Sequence, residues 1–265
     1  PQVTEATLKP IFRDMLLGFA VCHARGVVHR DVKPDNFLVA TAEGGAGFGI
    51  KLCDFGLASV VSGPEAEELQ GVVGTACFMS PEMVCGRRYG SKVDLWALGT
   101  LVHTFLFGSW PFQRGAATRK EVKEAIASGI PAPEFRSRAG LARVSGACTS
   151  WCQALLCRDS RQRLSAQEAL EHTSFLEPWR QPASLRPTIN AAKLVGAFGC
   201  SSATRGCSRR DAPDVGRLMA ELNRRCRADA AGGCKATAAA ARPPASCSEI
   251  STRCVSETAS AVSRV

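Results

Sequence analysis

Over the first 180 positions the apolar residues recur at intervals that predict mostly helices. Leu8, Ile11, Phe12, Met15, Leu16 and Phe19 form one helical stripe, with Thr4 placed as N-cap and Gly26 placed to stop the helix after His23-Ala24-Arg25. Two short β-prone runs follow, Phe37 to Ala40 and Ile50 to Cys53, and the glycine-rich stretch 43–49 between them reads as a hairpin connection. Residues 56–80 show little periodicity and predict a long loop, the kind of segment that tends to carry function. From Lys92 to Phe107 nearly every residue is apolar, so Trp96, Leu98, Leu101, Val102, Phe105 and Leu106 cover all faces of a helix that must be buried centrally. Further helices are predicted at 118–128, 148–157 and 165–172, the last opening with Ser165 and Glu168 in capping-box spacing.

Composition changes this picture in one place. The 265 residues are 45% hydrophobic and 22% charged, enough to bury one substantial core. The net charge of +9 is uneven: residues 1–180 carry 20 Lys+Arg against 18 Asp+Glu, and residues 181–265 carry 13 against 6. Beyond Pro182 the chain turns rich in Ala, Arg, Ser and Gly, which predicts a domain boundary near 180 and a basic, solvated, disordered tail over 181–265. No apolar run approaches the roughly 20 residues that span a bilayer, and no signal-peptide pattern opens the chain, so a soluble intracellular protein, cytoplasmic by location, is expected. The 13 cysteines contain no C-x-x-C pair. Cys22, Cys53, Cys148, Cys152 and Cys157 lie in apolar runs, where a free thiol behaves as a small hydrophobe.

Five short segments carry the candidate chemistry. His29-Arg30-Asp31-Val32-Lys33-Pro34-Asp35-Asn36 lies between the first helix and the first strand, and Asp54-Phe55-Gly56 follows the second strand. Ser80-Pro81-Glu82, Asp94-Leu95-Trp96-Ala97-Leu98-Gly99 and Arg158-Asp159-Ser160-Arg161-Gln162-Arg163 come after them in order. The set resembles the catalytic loop, metal-binding motif, Ala-Pro-Glu segment, central helix and closing segment of eukaryotic-type serine/threonine protein kinases. Within that family, Gly74 to Glu82 and Trp110-Pro111-Phe112 resemble the calcium/calmodulin-dependent and calcium-dependent kinases. The fold implied is the large C-terminal lobe of a kinase, mainly α, a helical bundle with a small β-hairpin at the catalytic loop.

The resemblance implies roles residue by residue. Asp31 would accept the proton of a serine or threonine hydroxyl, and Lys33 would donate to the transferring phosphate of ATP. Asn36 and Asp54 would bind magnesium, a hard cation that prefers oxygen donors. Leu38 would lie beneath the adenine, and Asp35 would favour basic residues upstream of the acceptor hydroxyl of a protein substrate. Structural roles fall to His29, Arg30, Phe55, Gly56 and Thr75, to Asp94 as acceptor for the catalytic-loop backbone, and to Glu82 and Arg163 as a buried ion pair. A Ser or Thr four residues before the threonine of Gly-Thr is common in kinases switched by phosphorylation. Here that position is Gly71, so phosphorylation-independent ordering is expected, with Glu65, Glu67 and Glu68 as permanent negative charge or as a solvated acidic run.

The family's small N-terminal lobe, with its glycine-rich loop and strand lysine, has no counterpart here, and the opening Pro1 reads as part of a longer product. Two readings follow: a partial copy of an active kinase, or a catalytically inactive, pseudokinase-like module that binds proteins. In the tail, Val215, Leu218, Met219, Leu222 and Cys226 with Arg217, Arg224, Arg225 and Arg227 have the spacing of a short basic amphipathic helix that a calmodulin-type calcium sensor could bind, or of a marginal helix in a disordered segment. Nucleic acid is not expected as a partner, since Phe198 is the only aromatic beyond Trp179.

Overall fold

A computed structural model describes residues 4–41, 48–112, 116, 118–136 and 143–172. Among these are six α-helices, two antiparallel strand pairs and two short 3-10 turns, Pro34–Asn36 and Ala76–Phe78. The boundary near 180, the 181–265 tail and the basic helix expected around 215–227 lie outside the described residues.

Helix α1 (Glu5–His23) starts at Thr4, whose side chain accepts from the Thr7 amide. Its whole apolar stripe is buried. Gly26 turns the chain with φ of 69°, and a Cβ there would sit 2.3 Å from the Val61 carbonyl. Glycine is needed at this point because β1 (Val27–Val28) runs against β4 (Ser59–Val60), with the Val61 amide bonded to the Gly26 carbonyl at 2.8 Å. Between them, β2 (Phe37–Thr41) and β3 (Phe48–Leu52) form the predicted hairpin, Phe37 opposite Leu52.

After the short helix α2 (Pro81–Val84) comes α3 (Lys92–Phe107), buried on every face and ended by Gly108 at φ 68°. Helices α4 (Arg119–Ser128) and α6 (Ala166–Glu171) both open with a capping box, at Thr118/Glu121 and Ser165/Glu168. Helix α5 spans Gly146–Leu155, two residues earlier than its apolar run predicts, because the Ser145 side chain accepts from the Cys148 amide and fixes the start there. The main core joins α1, α3, α5 and α6: Phe12 packs edge-on to Phe105 at 5.9 Å and beside Trp151 at 6.0 Å.

Cys148 and Cys152 fill this interior and Cys22 is buried in a separate cluster with Val27 and Phe55, whereas Cys53 and Cys157 are only half-buried because each sits where an element gives way to a loop. Burial pushes the Cys22 thiol up to about 11 and the Cys148 thiol up to about 12, so both stay protonated and inert. No helix among the described residues is long and apolar enough to cross a membrane.

Candidate active site

The segment after β1 is held from below by one carboxylate. Asp94, in the first turn of α3, accepts from the His29 amide at 2.8 Å and the Arg30 amide at 2.9 Å, and its Oδ2 also meets His23 Nε2 at 2.9 Å. Burial would raise the Asp94 carboxyl, but His23, His29 and the bonds they make outweigh it and hold it below its ordinary value. His29 is fully buried against Phe55, rings 5.1 Å apart. Its Nδ1 accepts from the Asp31 amide, which leaves Nε2–H to donate to the Cys53 carbonyl at 3.0 Å.

These anchors bend the chain hard enough to put Arg30 at φ 67°, in the left-handed region where a long side chain is rare. Its Nε donates to the Leu57 carbonyl at 2.7 Å. The bend delivers Asp31, 9% exposed, to the lip of the core. Asp31 Oδ2 takes the Lys33 ammonium at 2.6 Å, and Oδ1 takes the Thr75 hydroxyl at 2.9 Å. Asn36, in the 3-10 turn Pro34–Asn36 beside Asp35, donates its Nδ2 to the Asp31 carbonyl at 2.8 Å.

Asp54 reaches the same place along the hairpin. The Cys53 amide donates to the Asn36 carbonyl at 2.9 Å, so Asn36 and Asp54 stand at adjacent ends of β2 and β3. Asp54 is exposed, with φ 59°, and one carboxylate oxygen accepts from the Gly56 amide at 3.2 Å. Leu38, on β2, is 54% exposed. Asp31, Lys33, Asn36, Thr75 and the backbone that carries Asp54 therefore form one connected cluster, with His29, Phe55 and Asp94 beneath it.

Glu82 and Arg163 lie deeper. The guanidinium grips both carboxylate oxygens, at 2.6 and 3.0 Å, donates to the Cys157 and Lys92 carbonyls and lies 5.0 Å over the Trp96 ring. Burial acts to raise the Glu82 carboxyl, yet the Arg163 bonds and charge bring it below its ordinary value. The acidic run goes elsewhere than to Arg30: Glu65 pairs with Lys92 at 3.6 Å, Glu67 accepts from Ser160 and Glu68 accepts from Ser62.

Sequence reasoning missed His23 and Gly74. Gly74 has φ 91°, and a Cβ there would lie 2.4 Å from the Arg30 carbonyl and 3.4 Å from Asp31 Oδ1. A glycine directly before a site threonine was the available signal. For His23 no local signal exists, because its partner is 71 residues away.

Residues 1–175 match the family model of the protein kinase domain, and the chain belongs to that family. Among curated relatives, calcium/calmodulin-dependent serine/threonine-protein kinase 1 of Oryza sativa subsp. japonica is 33% identical over 210 residues, covering 78% of this chain and 32% of that protein. Calcium-dependent protein kinase 29 of Arabidopsis thaliana is 36% identical over 186 residues, covering 70% and 32%, and calcium-dependent protein kinase 9 of Oryza sativa subsp. japonica is 39% identical over 176, covering 66% and 28%. The chain spans about a third of the length of these relatives.

Proposed function

We propose that this chain supplies the base, the lysine and the magnesium ligands for phosphoryl transfer from ATP to serine or threonine hydroxyls of proteins. The observation that carries the reading is the Asp31 carboxylate, held between Lys33 and Thr75 and tied to Asn36 at the lip of the core. Phosphoryl transfer needs little covalent help from the protein and depends on positioning and charge. Asp31 orients the acceptor hydroxyl and takes its proton on a carboxylate oxygen. Lys33, 2.6 Å from that carboxylate, carries the positive charge that faces the transferring phosphoryl oxygens.

The donor set suits magnesium. Asn36 spends its Nδ2 on the Asp31 carbonyl, which leaves the amide oxygen as the donor, and Asp54 presents an exposed carboxylate. Two protein oxygens completed by water and phosphate is the usual magnesium pattern. Bound there with ATP, the ion supplies neutralisation of the phosphate charge. Exposed Leu38 offers an apolar surface for the adenine, and Asp35 a carboxylate for basic residues of the substrate.

The same proposal divides the chain into a C-lobe module over 1–180 and a tail over 181–265, with any contact to a calcium sensor made through the tail. It also places the protein in the cytoplasm, where ATP is available and where the free thiols of the described residues would persist. The test is transfer of labelled γ-phosphate from ATP to a serine peptide with upstream arginines, using the full gene product. Asp31→Asn is expected to lower kcat by about a hundred- to ten-thousandfold. A wild-type product that binds such peptides but transfers nothing would instead identify a pseudokinase-like binding module.

A further inference from the structure

The loop that follows Gly56 is fastened to the body by its own backbone and side chains. Leu69 and Tyr89 exchange two backbone hydrogen bonds of 3.0 Å, and Ser91 donates to the Pro64 carbonyl at 2.7 Å. Gly90 passes so close that a Cβ would lie 2.2 Å from the Ala66 carbonyl. Glu67 accepts from Ser160 at 2.8 Å, and Glu65 faces Lys92. The mouth of the loop is closed by one carboxylate, because Glu68 accepts from both the amide of Ser62, at 3.0 Å, and its hydroxyl.

Ser62 is exposed, sits between a buried valine and the pair Gly63-Pro64, and uses its hydroxyl as a donor to an anion. That geometry fixes the sign of any charge added to it. A phosphate monoester carries about −1.5 to −2 charges at neutral pH and in its dianionic form donates no proton, so the attraction between the Ser62 side chain and Glu68 becomes repulsion. The Ser62 hydroxyl and amide hold the Glu68 carboxyl below its ordinary value, as does the charge of Arg88. One arginine cannot neutralise a dianion and a carboxylate together.

We propose that Ser62 is a phosphorylation site at which modification opens the loop, with the intact Ser62–Glu68 clasp as the closed state. The modifying enzyme is an acid-directed protein kinase, since Glu65, Glu67 and Glu68 follow the serine closely and suit a groove lined by Lys and Arg. Transfer of the γ-phosphoryl group of ATP forms the Ser62 Oγ–P bond and breaks the bond to the β-phosphate oxygen. ADP leaves, and the hydroxyl proton passes to the modifying enzyme's base. Opening then travels along the chain from Glu68 to the Leu69–Tyr89 pair and on toward Thr75, whose hydroxyl meets Asp31. Only this last consequence, weaker phosphoryl transfer, rests on the proposed function; opening of the loop does not.

The experiment is amide hydrogen exchange on the full chain, read at Ser62, Leu69 and Tyr89. It compares wild type, protein phosphorylated by an acid-directed kinase with ATP, and the variants Ser62→Asp, Ser62→Ala and Ser62→Asp/Glu68→Lys. Phosphorylation and Ser62→Asp are expected to speed exchange about tenfold, the scale of one lost charge-assisted hydrogen bond. Ser62→Ala, which keeps the amide bond, should speed it less, and the double variant, which places opposite charges across the loop mouth again, should restore protection. Unchanged exchange on phosphorylation, equal acceleration in Ser62→Ala, or no recovery in the double variant overturns the clasp. Phosphorylation of a free 57–75 peptide but not of the folded chain overturns Ser62 as a site.

Discussion

At the scale of single residues, the site depends on backbone that few side chains could adopt. Arg30 and Asp54 both have positive φ, and neither arginine nor the sequence around it announces this, because the strain is imposed by Asp94 and the hairpin from far along the chain. Gly74 is the case where chemistry and conformation coincide. Its φ of 91° and the missing Cβ let the chain pass 2.4 Å, in Cβ terms, from the Arg30 carbonyl and set Thr75 on Asp31. Gly74→Ala should therefore push the 74–75 backbone off the Arg30–Asp31 segment and lower the kcat of the proposed transfer by on the order of tenfold or more, with a stability loss of about 1–3 kcal/mol. Gly71→Ala is the matched control, since Gly71 has φ 103° but nothing within 4 Å of its would-be Cβ. It should show the strain in a denaturant midpoint while leaving kcat within about twofold, on the reasoning that only contact with the Asp31 segment alters the chemistry.

At the scale of elements, legibility followed length and periodicity. The stripe of α1 and the all-apolar α3 were readable because burial over many turns leaves a repeating signal, and the Ser165 cap of α6 because its partner Glu168 is three residues away. The two-residue strands β1 and β4 left none: Ser59 and Val60 lie within a segment read as loop, and only their pairing with Val27 and Val28 makes them strand. Two buried carboxylates, Asp94 on α3 and Glu82 on α2, set the acid response. Both sit below their ordinary values of 3.8 and 4.5, so the unfolded chain binds more protons than the folded one there. Their stabilisation is complete above those values and is lost as pH falls through the lowered ones. His103, on α3, adds a milder window. Burial lowers it from 6.5 although the carbonyls of Ser109 and Glu134, at 2.8 and 3.0 Å, pull the other way. A neutral imidazole has one N–H for those two carbonyls. Its contribution is present above pH 6.5 and fades as pH falls through the lowered value. Denaturant midpoints measured from about pH 7 to 3 should decline in both windows, and His103→Gln should flatten the upper one alone.

At the scale of the whole molecule, the Asp31 cluster and the packing that supports it are separable. Sequence showed which face of α1 is buried but not what covers it, since Trp151 lies 139 positions beyond Phe12 and only the assembled bundle of α1, α3 and α5 brings the rings within 6.0 Å. The kinase motifs were legible for the opposite reason: each is a short local string whose chemistry can be read before its position is known. Phe12 tests the separation. It is fully buried, touches both Phe105 and Trp151, and belongs to no part of the Asp31 cluster. Phe12→Ala should cost about 3–5 kcal/mol through lost transfer energy and a residual cavity. Set against the roughly 5–15 kcal/mol that holds a typical domain, that is enough to bring the unfolding transition close to working temperature. The measurement pairs a denaturant midpoint with active-site-titrated kcat below the transition: Phe12→Ala should shift the midpoint strongly and leave kcat per folded molecule within about twofold, the reverse of Gly74→Ala. A comparable fall in kcat for both would mean that the bundle positions Asp31 directly, and that the Asp94 anchor beneath the loop does not isolate the cluster from its core.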